Sequence, residues 1–263
     1  LAQPDPPTLL DVRWELGTGA QRDAFARGHL PGAAFVDLDR DLAAEPGPGG
    51  RHPLPGRDQF TRSMRAAGVG GERPVVVYDA GSGLAAARAW WVLRYFGHPA
   101  VSLLDGGLRA WRAAGGELAR DRETPEPGDF AAVPGAMPVV DAAGAAALAQ
   151  RGVLLDARAP ERFRGETEPI DPVAGHIPGA RNRPMTLDLD PGTGAFATPE
   201  TLRRGFAELA IGPGAEVGAY CGSGVSAAHL VLALELAGVS AALYPGSWSE
   251  WVADRTRPVA TGP

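Results

Sequence analysis

The residues best placed for covalent chemistry lie in Val217-Gly218-Ala219-Tyr220-Cys221-Gly222-Ser223-Gly224-Val225-Ser226. The pattern is a short apolar strand, a tight glycine-punctuated loop and then an apolar helix. Cys221 is the only cysteine in 263 residues and holds the first position of the loop. Two glycines let several backbone N–H groups turn toward one point, and the following helix adds the positive end of its dipole. Both effects favour the thiolate, which is the nucleophilic form. A lone cysteine is otherwise often just a small buried hydrophobe. Its place at the end of a parallel strand, where open α/β sheets put their sites, argues for the reactive role. Two chemistries that use similar loops do not fit. A cysteine phosphatase needs an arginine six positions after the cysteine to clamp phosphate oxygens, and Ala227 stands there. A nucleotide P-loop needs a lysine and a hydroxyl after its last glycine, and Val225 and Ser226 follow Gly224. The loop therefore offers neutral donors around a thiolate, suited to a small anion or to sulfur itself.

An internal repeat supplies the elements that position this loop. Leu9-Leu10-Asp11-Val12-Arg13 returns as Leu154-Leu155-Asp156-Ala157-Arg158, and Gly28-His29-Leu30-Pro31-Gly32-Ala33 returns as Gly175-His176-Ile177-Pro178-Gly179-Ala180. Val75-Val76-Val77-Tyr78 corresponds to Val217-Gly218-Ala219-Tyr220, and Leu104-Asp105-Gly106-Gly107 to Tyr244-Pro245-Gly246-Ser247. The offsets stay between 140 and 147 residues, so two copies of one domain are expected. We place them at residues 1–115 and 139–263, with a proline-rich linker over 116–138. Within each copy, short apolar strands alternate with helices, predicted over 59–67, 84–96 and 225–237. This order implies an α/β fold with a mainly parallel sheet flanked by helices. The arginines of 84–96 fall on a narrow polar stripe, while 225–237 is apolar nearly all round and expected to be buried.

Composition narrows the function. An apolar fraction of 44% and a charged fraction of 21% suit a globular protein with real cores. A net charge of −6 with no basic block makes nucleic acid an unexpected partner. One cysteine excludes a disulfide framework or cysteine-rich metal site, and five scattered histidines offer no metal pair. No metal or organic cofactor is expected. The first residues lack a charged n-region and an apolar h-region, and no run reaches membrane length. The expectation is a cytoplasmic protein with no membrane association.

The tandem repeat, the twin Gly-His-x-Pro-Gly-Ala loops and Cys221-Gly222-Ser223-Gly224-Val225-Ser226 together resemble the two-domain rhodanese-type sulfurtransferases. The resemblance runs from about Leu9 to Trp251. It implies two rhodanese-like domains, of which only the C-terminal one is catalytic, and Asp79 indeed stands where Cys221 stands in the second copy. It further implies that Cys221 takes sulfur from a small donor, becomes a persulfide and passes the sulfur to an acceptor, by covalent ping-pong catalysis. A thioredoxin-like dithiol or cyanide is the acceptor the family suggests. A loop with no charge is similar to the 3-mercaptopyruvate branch, whereas the thiosulfate branch carries basic residues after the cysteine. The thiosulfate:cyanide reaction and a persulfide carrier for a protein partner are the alternatives.

The same resemblance assigns Gly222, Ser223, Gly224, Val225 and Ser226 to donor binding. Ser223 either bonds the donor's keto or thiol group or caps the loop, and Ser226 is expected to cap the helix. Arg162 matches a family arginine that holds the donor carboxylate. A second arginine expected after Glu168-Pro169 is missing, with Ile170 and Asp171 in its place. Arg181 and Arg183 lie nearby but read as solvated surface charges. A first-domain histidine approaches the site in the mercaptopyruvate branch, and His29 is its match by motif. Because His29 and His176 both recur, a structural role in the shared loop is the stronger reading. The repeated Asp-x-Arg pairs are expected to be ion pairs within each domain, and Trp90, Trp91, Trp111, Trp248 and Trp251 are expected in packing.

Overall fold

The computed structural model describes residues 6–120 and 125–263. It divides into two compact units, Leu1–Ala44 with Leu54–Met137 and Pro191–Ala195, and Glu45–Pro53 with Pro138–Asp190 and Phe196–Pro263. The segment Glu45–Pro53, which belongs to the first copy in sequence, thus packs with the second unit, and Pro191–Ala195 with the first.

In the first unit a four-stranded parallel sheet runs in the order Ala33–Phe35, Thr8–Asp11, Val75–Tyr78, Val101–Leu103. In the second the order is Arg181–Asn182, Val153–Asp156, Val217–Tyr220, Ala241–Leu243, again all parallel. Both sheets place the first strand of the copy beside the third, with the second strand on one side and the fourth on the other. The strand order reverses between those two central strands, and the crevice outside their carboxyl ends is where open α/β sheets bind ligands. Asp156 pairs with Tyr220 in register there, so the next residues, Ala157 and Cys221, emerge side by side.

The expected helices form at Arg57–Ala66, Leu84–Tyr95 and Val225–Leu236. Val225–Leu236 buries nine of its residues, as an all-round apolar helix must. Leu84–Tyr95 is also buried, and one member of its arginine stripe departs from expectation. Arg88 is fully enclosed and donates to the carbonyl of Leu42 at 3.2 Å. Trp248, Trp251, Tyr220, Tyr244, Phe163 and Leu154 share the core of the second unit. Trp90 and Trp91 are buried in the first.

The repeated polar motifs brace the repeated loops. Arg158 is buried against Asp156 at 2.7 Å, and its second edge reaches the carbonyl of Gly175 at 2.6 Å. Burial alone would lower its pKa, but Asp156 outweighs that and holds the guanidinium charged. Arg13 does the same with Asp11 at 2.7 Å and the carbonyl of Gly28 at 2.8 Å. The hydroxyl of Tyr220 accepts from Ile177 N at 3.1 Å, and that of Tyr78 accepts from Leu30 N at 3.1 Å. His176 bonds the carbonyl of Phe163 at 2.8 Å and stacks on its ring; His29 bonds Phe25 at 3.0 Å and stacks likewise. These residues recur because each copy has the same loop to hold.

Removing one partner of such a buried pair leaves an uncompensated charge, at a cost of about 3–5 kcal/mol. Asp156→Ala should therefore lower the unfolding free energy from urea titration by about 3–5 kcal/mol and move the midpoint down accordingly. Glu216→Ala, which breaks the exposed pair with Arg151, should leave the midpoint where it was.

Candidate active site

Cys221 leaves the end of Val217–Tyr220 and is almost fully buried, at 2% exposure. The chain then turns through Gly222, Ser223 and Gly224 into the helix Val225–Leu236. Gly224 adopts φ 80°, in the left-handed region where a side chain is strained, and this rotation turns the chain into the helix. The Gly224 amide donates to Cys221 Sγ at 3.1 Å. Gly224 is itself the N-cap and no side chain caps this helix, so the expected Ser226 cap does not form. The amide of Gly224 faces the cysteine sulfur instead of a flanking hydroxyl.

The first unit shows what such a loop holds. Gly83 takes φ 75°, matching Gly224. Asp79 fills the position of Cys221, and its carboxylate accepts from the amides of Gly81 at 2.8 Å, Gly83 at 3.1 Å and Ala85 at 3.1 Å. A loop of this shape is an anion cradle. In the first unit the chain occupies it with its own charge; in the second it presents a sulfur atom.

The Cys221 loop is pinned from below by Ser247–Trp251. Ser247 Oγ accepts from Cys221 N at 3.1 Å, Trp248 N donates to Cys221 O at 2.9 Å, and Ser249 N donates to Gly222 O at 3.0 Å. Ser247 itself has φ 54°, a strained value for a residue with a Cβ. The loop geometry is therefore set by neighbours on both sides of the sequence.

Charged groups lie above the loop. A methyl group added at Gly222 would stand 2.7 Å from the Arg51 guanidinium and 3.7 Å from that of Arg162. Two cations thus approach the backbone of Gly222, and a side chain there would displace the Arg51 guanidinium. Arg162 grips Glu168 at 2.6 Å and 3.1 Å and reaches Asp171 at 3.3 Å. Arg51 bonds the other oxygen of Asp171. Burial pushes Asp171 above the usual carboxylate range, with Arg51 pulling it back. Burial pushes Glu168 up as well, but its bonds to Arg162 and to the amides of Asp171 and Ile170 outweigh this and hold it low. Next to Arg51, His52 Nδ1 lies 2.7 Å from the hydroxyl of Ser223.

The structure thus brings together Cys221, Gly222, Ser223, Gly224 and Arg162, with Val225 and Ser226 opening the helix behind them. It engages other expected groups elsewhere. Arg181 donates to the carbonyl of Leu209 at 2.8 Å. Arg183 is not a surface charge but a buried partner of Asp188 at 2.9 Å. His29 is held in the first unit by Phe25, and the histidine at the loop is His52. Arg51 and His52 are the two residues that sequence reasoning missed. Their signal was Gly49-Gly50-Arg51-His52-Pro53, a basic pair inside a glycine- and proline-rich stretch whose counterpart near Pro191 has none. Among the described residues no group of metal-ligating side chains is assembled, and no helix is long and apolar enough to cross a membrane.

Known proteins resemble this chain over both copies. Residues 1–114 and 141–254 each match the rhodanese-like domain. The chain is 49% identical over 272 residues to a probable 3-mercaptopyruvate sulfurtransferase of Pseudomonas aeruginosa, covering 100% of this chain and 94% of that one. It is 46% identical over 267 residues to the putative thiosulfate sulfurtransferase SseB of Mycobacterium tuberculosis, covering 98% and 92% of the two. The crystal structure of SseA from Escherichia coli, described in terms of the rhodanese fold and the 3-mercaptopyruvate reaction, superposes with a TM-score of 0.82. Sequence identity is 32%, over 94% of each chain.

The Asp79 carboxylate does capping work in the first unit, where a capping side chain contributes about 0.5–2 kcal/mol. Asp79→Ala should lower unfolding free energy by about 2 kcal/mol in urea titrations. Sulfur transfer at 25 °C should be unchanged, because the reactive sulfur sits in the other cradle.

Proposed function

The chain belongs to the rhodanese family of sulfurtransferases, and from that premise we propose that it moves the sulfur of 3-mercaptopyruvate through a persulfide on Cys221. The observation that carries this reading is the Gly224 amide directed at Sγ, 3.1 Å away, in a loop with no charge of its own. The Cys221 thiolate attacks the donor's sulfur, the carbon–sulfur bond breaks, and its electron pair becomes the enolate of pyruvate. The enolate then takes a proton. Ser223, backed by His52 at 2.7 Å, is a hydroxyl able to bond the donor's keto oxygen and relay that proton. The donor carboxylate docks on Arg162 and Arg51, whose guanidinia flank Gly222. In the second half-reaction a thiolate, of a thioredoxin-like dithiol for example, or cyanide attacks the outer sulfur and releases the Cys221 thiolate.

Thiosulfate is the second reading, favoured by the same pair of guanidinia, which also suits a sulfonate. The two donors differ in what leaves. Sulfite departs as a stable anion without a proton, whereas the enolate needs one. We place the enzyme in the cytoplasm, as the sequence suggests, with small molecules or thiols as its partners.

A donor comparison tests this directly. With cyanide as acceptor, turnover with 3-mercaptopyruvate should exceed that with thiosulfate, and intact mass after donor alone should show one added sulfur. Cys221→Ser should lose both signals; retained turnover would remove the central claim. Arg162→Ala should raise the donor KM about 10- to 100-fold, the worth of a charge-assisted hydrogen bond. His52→Ala should cut kcat for 3-mercaptopyruvate by about 100-fold or more and leave thiosulfate turnover largely intact. Equal losses with both donors would assign His52 to loop structure instead of proton relay.

A further inference from the structure

We infer that Asp171 is a charge filter that makes the site select a singly charged sulfur donor over a doubly charged one. The inference rests on the sulfurtransferase reading above and concerns what the site admits.

The two cations over the loop are already matched by two anions. Arg162 spends Nε and Nη2 on Glu168 and reaches Asp171 with Nη2. Arg51 spends Nη1 on Asp171. What remains facing Gly222 is Nη2 of Arg51 and Nη1 of Arg162, 2.7 Å and 3.8 Å from where a Cβ would stand. Two amino groups can hold one carboxylate or one edge of a sulfonate. The next shell is balanced too, because Arg158 is paired with Asp156 at 2.7 Å. Among the described residues, these arginines and carboxylates sum to zero, Gly222 to Ser226 adds no charge, and the attacking Cys221 thiolate adds one negative charge.

Asp171 is the member of this set that bridges both cations. Its side chain is 3% exposed, against 27% for Arg51 and 14% for Arg162, so water screens it little. A donor with one negative charge exchanges hydration for the two free amino groups and leaves the site with one excess charge. A second negative charge is placed beside Asp171 and Glu168 with no further cation to meet it. The absence of an arginine at Ile170, where the family pattern leads one to expect it, leaves that balance uncorrected.

The test separates charge from chemistry by using two donors that break the same bond. In thiosulfate and in methanethiosulfonate, the Cys221 thiolate attacks the outer sulfur and the sulfur–sulfur bond breaks. The electron pair leaves with sulfite or methanesulfinate, and no proton or oxidant is needed. The donors differ by one charge. The wild-type enzyme should show a higher kcat/KM for methanethiosulfonate than for thiosulfate. Asp171→Asn should raise the ratio of kcat/KM for thiosulfate to that for methanethiosulfonate about three-fold or more, because the doubly charged donor gains more from loss of the carboxylate. Its thiosulfate reaction should also become more sensitive to salt. Asp171→Glu, which keeps the charge, should restore the wild-type ratio.

A wild-type preference for thiosulfate over the monoanion overturns the filter without any variant. So does an unchanged donor ratio in Asp171→Asn with an unchanged melting temperature. In either case continued turnover of 3-mercaptopyruvate leaves the sulfurtransferase reading standing. Failure of every donor to load Cys221 would remove that reading itself.

Discussion

The reactive end of each sheet depends on one glycine held in the left-handed region where a strand turns into a helix. At Gly83 and Gly224 the φ values are 75° and 80°, which cost an L-residue about 1–2 kcal/mol and cost glycine nothing comparable. With that rotation in place the first amides of the helix point back at the residue that ends the strand. Asp79 is held there by several amides at once, and the Cys221 sulfur by the amide of Gly224. In one unit the acceptor is a carboxylate, in the other a thiol sulfur. The second unit thus places a sulfur atom where the first places a carboxylate, in a loop one residue shorter between that position and its left-handed glycine.

Around this cradle the duplicated residues are scaffold and the unduplicated ones carry the differences. The Asp-x-Arg pairs, the two tyrosine hydroxyls and the two stacked histidines make matching bonds in both units. Their task is to hold the Gly-His-x-Pro-Gly turn against the sheet. Cys221, Arg51, His52, Arg162 and Asp171 have no such counterparts in register. A residue that recurs in a copy without a nucleophile has a role that does not need the nucleophile. The same argument that took His29 out of catalysis turns attention to residues present only once.

The fold and the loop that carries Cys221 were legible because their signals are local or periodic. The repeat, the four- to six-residue apolar runs and the glycine spacing each imply structure within a few residues of themselves. Arg162 was legible through a motif. Arg51 and His52 were not, since their partners are Asp171 and Ser223, separated by 120 and 171 residues. No periodicity or propensity links positions that far apart. Residues 45–53 belong to the first copy in sequence, and only the fold assigns them to the second unit. Arg183 was misread for a related reason. Its cation is matched by Asp188, five residues on, so a residue that looks solvated in sequence is buried as a pair.

In the proposed reaction, the group that attacks sulfur and the groups that choose the donor sit on different kinds of backbone. Cys221 lies at a strand end braced by Ser247, Trp248 and Gly224, where a displacement of a few tenths of an ångström would break several hydrogen bonds together. Arg51, Arg162 and Asp171 come from three separate segments and touch the loop only through side chains. Exchanging a charge among those segments alters which anion is welcome without disturbing the amide that faces the sulfur. This chain has an isoleucine where its family pattern carries an arginine, and an arginine from a distant segment beside the same glycine. Such an exchange is possible because a guanidinium acts by where its charge lies, not by which part of the chain delivers it.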